Sequence, residues 1–240
     1  MQTTDSNRHR TIPSLALAVL ILASCSSDSP VETALRPSAP CSSADASSKA
    51  VATNDTIIEP AEPACTPEIV MDNLERAFVE RDKELYETLI DDRFWFSESD
   101  CDGGLVLENG KEEELRIIGP RDGSAQGIFD TFRTIEFEFF RTDSLTEPGD
   151  QFPAGSEGDP DAHPDEDWEV VRGQVALLML AQPDEGFRIT QDMNFKMRQG
   201  DDGLWRLARW IDDPLQGDCS ASSSKPTTES ITWGRLKASF

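Results

Sequence analysis

The chain has 240 residues, of which 46 are acidic and 22 are basic, and its formal net charge at pH 7 is −24. A surface this acidic repels nucleic acids and anionic lipid headgroups, so composition argues against nucleic-acid partners and against docking on lipid headgroups. We interpret the charge as a solvated acidic face and not as a specific cation-binding surface.

The first 24 residues have the composition of an export signal. Arg8, His9 and Arg10 make the amino end positive, and residues 12–23 form an apolar run of about a dozen residues. A helix that spans a bilayer needs roughly 20 apolar residues, so this run is too short to be a membrane span. The sequence therefore predicts a signal peptide over residues 1–24.

The end of this signal, residues 22–25 with the sequence Leu-Ala-Ser-Cys, resembles the lipobox of bacterial lipoproteins. The resemblance implies cleavage between Ser24 and Cys25 and lipidation of the Cys25 thiol, which makes the membrane a partner through its lipid. Several acyl chains would hold the protein stably. Ser26 and Ser27 lack the aspartate that retains some lipoproteins at the inner membrane, so we expect the outer membrane, facing the periplasm. An ordinary secretory signal with an incidental cysteine is the alternative.

Three segments follow the signal. Residues 25–65 hold the lipidated cysteine and a Ser-, Pro- and Ala-rich stretch without apolar periodicity, which predicts a disordered tether. Residues 66–215 carry the patterning of one domain, while residues 216–240 begin Ser/Thr-rich and end on apolar side chains. Because an exposed tail seldom needs such side chains, we expect the C-terminus to dock on the domain.

Four cysteines remain beyond Cys25, in a compartment where disulfides persist. They allow three pairings. We expect a bond between Cys219 and either Cys65 or Cys101, because Cys41 lies in the predicted tether. No Cys-x-x-Cys pair or His/Cys cluster indicates zinc or redox chemistry, so no cofactor is predicted.

Helices are predicted at the start of the domain. Thr66 and Pro67 make an N-cap and a first helical position. Apolar residues then recur at steps of three and four, and the charged residues 80–83 indicate that the helix bends or restarts there. A third helix is predicted over residues 111–118. The residues expected on the first buried stripe are Val70, Leu74, Ala77, Phe78, Arg81 and Leu85.

The apolar period then changes to two, which predicts strands. Turn residues rich in Gly and Asp separate the last three strands and indicate a meander of hairpins. Residues 146–165 form a Pro/Gly/Asp-rich excursion that is too polar to be core. The strands are predicted over residues 94–96, 132–141, 168–180, 187–198 and 204–211.

Helices first and long strands afterwards predict an α+β domain, with N-terminal helices packed on a curved antiparallel sheet. This arrangement resembles the nuclear-transport-factor-two-like fold, a cone-like fold shared by SnoaL-like proteins and ketosteroid isomerases. The resemblance spans residues 66–215 and consists of core and turn patterns, so it implies a fold more than a chemistry. The segments that carry it are residues 73–78, 82–86, 89–92, 94–96 and 203–212.

Isomerases of that family use a carboxylate base, with a tyrosine and a protonated acid as oxyanion donors. The resemblance places Glu98 near the base and Leu74 where the tyrosine would stand, while the only tyrosine, Tyr86, does not align with that role. We therefore expect Glu98 at the surface or rim, with a catalytic base as the alternative. Dehydratase-like relatives use a histidine, and beyond the signal only His163 is present, in a polar loop where we expect it to be solvated.

Glu98, Asp100 and Asp102 place carboxylates at alternate positions, as at the start of a calcium loop. The later bidentate glutamate of such loops is missing. An acidic turn is therefore the preferred interpretation, and a weak calcium site is the alternative.

Aromatic side chains on the strands could line an apolar pocket inside the cone or fill it as core. Core packing is the preferred interpretation, because aromatic residues at alternating strand positions are usually buried. The candidates are Trp95, Phe137, Phe139, Trp168, Trp205 and Trp210.

Taken together, these patterns predict a lipid-anchored envelope protein whose noncatalytic cone domain binds a small apolar ligand or an envelope protein. An isomerase or dehydratase with a degenerate site and a calcium-responsive adhesion module are the alternatives. Polar groups around an open cavity would indicate an enzyme, and an open apolar cavity would indicate a ligand-binding module. A filled cone with exposed apolar groups would indicate a protein that interacts with other proteins.

Overall fold

The computed structural model describes residue 41 and residues 60–99, 104–152, 159–213 and 229–240. The signal and Cys25 lie outside these residues, so the anchor stays a prediction. Within the described part, no helix is long and apolar enough to cross a membrane. The helices are α1 (Pro67–Glu80), α2 (Lys83–Leu89), α3 (Lys111–Ile118), α4 (Ile128–Thr131) and α5 (Trp233–Lys237). The strands are β1 (Ile90–Ser99), β2 (Leu105–Gly110), β3 (Thr134–Glu147), β4 (Trp168–Gln182), β5 (Glu185–Gln199), β6 (Trp205–Asp213) and β7 (Glu229–Ser230).

The first two helices begin and end where side chains and backbone geometry dictate. The Thr66 hydroxyl accepts a hydrogen bond from the Ile69 N–H at 3.4 Å, which confirms the predicted cap of α1. Arg81 takes a left-handed conformation with φ of 56°, and this ends the helix before Asp82 caps α2. The predicted restart is confirmed, but Arg81 is exposed and not on the buried stripe.

The strands form one curved sheet in the order β2-β1-β6-β5-β4-β3, with β7 beside β5. The antiparallel meander of β4, β5 and β6 is confirmed, as is the α+β class. β1 pairs in parallel with β6, and β7 with β5, so the sheet is mixed and not wholly antiparallel as predicted. Side-chain alternation identifies a strand, but it does not fix the direction of a neighbour distant in sequence.

β3 is longer than predicted. It pairs with β4 from Thr134 to Glu147, beyond the expected end at residue 141, with a register shift between Arg141 and Asp143. Residues 142–147 lack regular apolar alternation, and their pairing with β4 satisfies their backbone groups. The resulting β3–β4 pair reaches the segment that contains His163.

The core is centred on Phe78 of α1, whose side chain is 0 % exposed. Each aromatic contact of this kind adds about 0.5–1.5 kcal/mol beyond the burial of apolar area. The rings around Phe78 belong to Tyr86, Phe129, Phe137, Trp210 and Trp233, with centroid distances of 5.2–6.4 Å.

The C-terminal residues pack into this core. Trp233 and Leu236 on α5 are 0 % and 1 % exposed, and the Trp233 ring stacks on Trp210 at 5.9 Å. The Ile231 N–H donates to the carbonyl of Arg188 on β5 at 3.2 Å. The expected docking of the terminus is therefore observed, and α5 forms part of the interior.

The disulfide in the described residues joins Cys41 to Cys65. The expected bond between Cys65 and Cys219 is therefore wrong, because Cys65 is already paired. Cys101 and Cys219 lie outside the described residues. Cys41 was assigned to the tether from composition alone, and composition does not show that this segment returns to the domain beside α1.

Candidate functional site

Two carboxylates lie side by side on neighbouring strands. Glu98 on β1 is in register with Asp212 on β6, and their side chains are buried with 3 % and 0 % exposure. The expected surface or rim position of Glu98 is therefore wrong. The reason is α5, which covers this part of the sheet and removes both carboxylates from solvent.

Gly234 of α5 makes this close approach possible. A methyl group on Gly234 would overlap the Glu98 carboxylate, so only glycine leaves room for the acid. The neighbouring Trp233 N–H donates to the Gln191 side-chain oxygen on β5 at 2.5 Å. The start of α5 is thus fixed against both β1 and β5.

Lys237, at the end of α5, places a positive charge in the same interior. Its side chain is fully buried, and Nζ donates to Glu114 Oε2 on α3 at 2.6 Å. Nζ also lies 3.5 Å from the ring centroid of Phe96 and 5.0 Å from that of Trp210. Both distances fall within the range of a cation–π interaction, so aromatic faces surround the ammonium.

Glu114 is shared by three donors. Besides Lys237, it accepts from the Tyr86 hydroxyl at 2.7 Å and from the Asn109 amide at 2.8 Å. All of these side chains are buried. We define the interior cluster as Tyr86, Glu98, Asn109, Glu114, Asp212 and Lys237.

Burial dominates the titration of the two neighbouring acids. It raises the pKa of Asp212 well above the usual 3.8, and the negative charge of Glu98 adds to the increase. Burial also raises the pKa of Glu98, against the opposing effects of the Thr232 hydroxyl, the Lys237 ammonium and the Gly234 N–H. The protonated form of this acid pair is favoured by its surroundings.

Burial has the opposite effect on the pKa of Lys237, the basic residue of the interior cluster. It lowers the pKa of Lys237, while the charges of Glu114, Asp212 and Glu98 counteract the decrease. The pKa of Tyr86 is raised well above 10 by burial and by its bond to Glu114. Tyr86 is therefore a neutral hydrogen-bond donor at physiological pH.

Polar atoms without a hydrogen-bond partner surround α5. Native structures satisfy nearly all buried polar groups, so a set of such atoms in one place requires an explanation. Among the described residues, the buried atoms near α5 without a well-formed hydrogen bond are Glu98 Oε2, Asn109 Oδ1, both carboxylate oxygens of Asp212, Gln191 Nε2, Trp210 Nε1 and Trp233 Nε1. The Gly234 N–H is close enough to both carboxylates to lower their pKa values.

The predicted pocket aromatics divide into core and periphery. Phe137 and Trp210 are buried against Phe78, and partly buried Phe139 packs on Phe195 at 5.6 Å. Trp95 and Trp205 are half-buried, and Trp205 packs against the outside of the core. Trp168 is buried beside His163 at a different place.

His163 is a buried residue and not a solvated one as expected. Its ring is 1 % exposed and is stacked between Phe152 and Trp168, with centroid distances of 4.8 Å and 4.2 Å. Burial lowers the pKa of His163, and the Glu147 carboxylate opposes that effect. Residues 146–165 were predicted to be too polar for core, because the sequence alone does not show that Phe152 and Trp168 stack on both sides of His163.

The predicted calcium ligands are only partly described. Asp100 and Asp102 lie outside the described residues, while the Glu98 carboxylate faces Gly234 in the interior. Within the described part, no group of three or more His, Cys, Asp or Glu side chains could hold a metal ion.

Sequence reasoning missed Asp212, Glu114 and Lys237. One signal was present for Lys237: it lies four residues after Trp233 and next to Leu236, which places it on the apolar side of a short helix. A lysine on the apolar face of a helix predicts a buried acidic partner, but the sequence alone does not identify which acid that is.

Comparisons with known proteins give structural matches only. No protein-family model matches the sequence, and neither does any curated protein. An NTF2-like protein of unknown function in nutrient uptake from Rhodospirillum rubrum ATCC 11170 has 16 % identity over 62 % of this chain and 97 % of its own, with a TM-score of 0.38. A conserved protein from Planctomyces limnophilus DSM 3776 has 14 % identity over 61 % and 91 %, with a TM-score of 0.38.

A third match is an NTF2-like protein of unknown function from Pseudomonas putida KT2440. It has 10 % identity over 66 % of this chain and 93 % of its own, with a TM-score of 0.38. Identities and TM-scores this low carry no activity over to the present chain. The functional argument therefore depends on the residues themselves.

Proposed function

We propose that this chain is a lipid-anchored protein of the bacterial cell envelope whose α+β domain binds an envelope protein without catalysing a reaction. After removal of residues 1–24, lipid on Cys25 holds it at the outer membrane, facing the periplasm. The apolar export signal and the lipobox-like residues 22–25 support this anchor.

The filled interior carries the noncatalytic part of the proposal. Trp233, Leu236 and Lys237 occupy the space between helices and sheet, and none is more than 1 % exposed. A general base must come within hydrogen-bond reach of its substrate. Glu98 lies beneath α5, and Tyr86 already donates to Glu114, so neither is open to a substrate in this state.

The outer edge of the sheet supports a protein partner. β2 is an edge strand, and its Leu105 and Val106 side chains are 58 % and 53 % exposed. An edge strand offers unpaired backbone groups, and apolar side chains beside them suit the addition of a partner strand.

Photo-crosslinking in cells tests this surface. A photoreactive amino acid at Val106 should give a discrete protein adduct, whereas the same amino acid at Val79 on α1, which is 48 % exposed, should not. The same adducts from both positions, or no adduct from Val106, would contradict a partner at β2.

Cell fractionation and mass spectrometry test the anchor. The wild-type chain should partition with membranes and carry acyl chains on an N-terminal Cys25. Cys25→Ala should lose both, while Cys219→Ala should behave as wild type. Membrane association that survives Cys25→Ala would contradict the proposal.

One observation favours an enzyme as the second candidate. The pKa values of Glu98 and Asp212 are both raised, as in sites where one carboxyl group donates a proton and another accepts it. Isomerase chemistry would remove a proton next to a carbonyl group, so deuterium exchange into a cyclic ketone, followed by NMR, tests this candidate. Exchange no faster than in buffer supports the binding role, and exchange abolished by Glu98→Gln would support the enzyme.

A further inference from the structure

Lys237 is surrounded as a bound cation would be. Its ammonium donates to Glu114 at 2.6 Å and lies 3.5 Å and 5.0 Å from the ring centroids of Phe96 and Trp210. The ring of Trp233, at 5.1 Å, belongs to α5 itself. Aromatic faces combined with an acid are the means by which proteins recognise organic cations. Here the cation belongs to the chain itself.

The interior cluster contains more carboxyl groups than Lys237 forms hydrogen bonds with. Glu98, Glu114 and Asp212 supply three carboxyl groups to one ammonium, which bonds only to Glu114 in the described residues. Asp212 is 0 % exposed, and in the described residues its carboxylate has no side-chain donor, the Gly234 N–H being the backbone group that acts on it. Because a buried ion pair is seldom better for stability than apolar packing, folding alone does not account for this arrangement.

We propose that the interior cluster is a recognition site for a primary aliphatic ammonium group, and that Lys237 is its internal occupant. The ligand is a small amine that takes the place of the Lys237 side chain when α5 withdraws. The short bond to Glu114 requires an N–H donor, so a primary ammonium fits better than a quaternary one. The two oxygens of Asp212 supply acceptors for further N–H groups.

The attachment of α5 makes withdrawal a local event. The helix has only five residues, Trp233–Lys237. Hydrogen bonds hold its segment at three places: the Trp233 N–H donates to Gln191, the Ile231 N–H donates to the carbonyl of Arg188, and Arg116 donates to the carbonyl of Phe240 at 2.8 Å. Its withdrawal would take Trp233 and Leu236 out of the core, while the long strands pair with one another and not with α5. This site is separate from the protein surface proposed above.

Chemical rescue of a truncated side chain tests the site. In the full-length mature chain, Lys237→Ala removes a propylammonium group and leaves its space empty. Propylammonium chloride should raise the melting temperature of this variant saturably by about 5 °C or more. Propan-1-ol, which lacks the charge, and tetramethylammonium, which lacks N–H donors, should give no comparable increase at the same ionic strength.

Wild type and Lys111→Ala serve as controls, because the former has its site occupied and the latter lacks only a surface ion pair with Asp92. Neither should gain stability from the amine. No shift in Lys237→Ala, or an equal shift with propan-1-ol, would overturn the proposal. Should Lys237→Ala be unfolded in buffer, recovery of its circular dichroism with propylammonium supports the site, and the absence of recovery overturns it.

Displacement is tested in the wild-type chain. Amine concentrations that saturate Lys237→Ala should accelerate amide hydrogen exchange in residues 233–238. Unchanged exchange would contradict the withdrawal of α5. Neither result depends on lipidation or on the exposed side chains of Leu105 and Val106, so failure of this site is distinguishable from failure of the proposed function.

Discussion

At the scale of single residues, Asp212 links the interior cluster to pH. Its folded-state pKa is raised above the usual 3.8 by burial and by Glu98. Between pH 3.8, the pKa of an aspartate in the unfolded chain, and the higher folded-state pKa, Asp212 is protonated in the folded chain and ionised in the unfolded chain. The contribution of this protonation to the free energy of unfolding is fully present below pH 3.8 and is lost as the pH rises through the folded-state pKa.

Asp212→Asn should remove this dependence on pH. We expect the variant to become more stable than wild type as pH rises, by about 1–2 kcal/mol at pH 8, because an amide carries no buried charge. Urea denaturation at pH 5 and pH 8 measures the difference. Asp192→Asn, an exposed change on β5, is the control. Parallel pH profiles for Asp212→Asn and wild type would contradict the assigned charge burial.

His163 should give the opposite dependence. Because burial lowers its folded-state pKa below 6.5, the unfolded chain binds the proton more readily in this range. Stability is then complete above 6.5 and is lost as pH falls through the folded-state pKa. His163→Gln should be less stable by about 1–3 kcal/mol at pH 7, and its stability should change less between pH 7 and pH 5. An unaltered acid slope in thermal melts would contradict this role.

At the scale of elements, α5 depends on the absence of a side chain at Gly234. Gly234→Ala places a methyl group against the Glu98 carboxylate and should destabilise the domain by about 1–3 kcal/mol. Glu98→Ala in the same chain should recover part of that loss, because it removes the overlapping group. A double-mutant cycle from urea denaturation measures the coupling, and Ser239→Ala is the exposed control. Strictly additive effects would contradict the contact.

The elements that were predicted well are those with a local cause. Thr66 and Pro67 predicted the start of α1, and both ends of α3 were predicted correctly. Caps and apolar periodicity depend only on neighbouring residues, so the sequence shows them directly. The parallel pairing of β1 with β6 and the helical form of α5 were not predicted. Both depend on contacts between distant parts of the chain, which periodicity does not contain.

The same distinction applies to the candidate site. Glu98 was singled out by the resemblance to the isomerases and by its spacing from Asp100 and Asp102, but its burial depends on Gly234, which lies far along the chain. Asp212 directly follows the strand that was predicted over residues 204–211, and nothing local distinguishes it from the neighbouring acid Asp213. A buried cluster assembled from six elements is therefore a tertiary property.

At the scale of the whole molecule, the Cys41–Cys65 disulfide joins the predicted tether to the domain. It closes a loop with a sequence separation of 24, which corresponds to about 3 kcal/mol in the chain-entropy model. Replacing both cysteines by serine should lower stability by about this amount, and reductant should then have no further effect on the melting temperature. An unchanged melting temperature would contradict the bond.

The disulfide also changes the expected reach of the anchor. If Cys25 is lipidated, only residues 26–40 separate the lipid from the first covalent attachment to the domain. If these residues form the flexible coil that the sequence predicts, they would span roughly 21 Å, which is a shorter reach than that of the full predicted tether.

Amine labelling of the native chain tests most directly whether the domain is filled by its own C-terminal helix. With a water-soluble acetylating reagent and mass spectrometry, Lys237 should remain unmodified when Lys111, at the surface beside Asp92, is fully acetylated. In denaturant both lysines should react equally. Acetylation of Lys237 as fast as Lys111 in the native chain would mean that α5 does not occupy the interior, and would contradict the account.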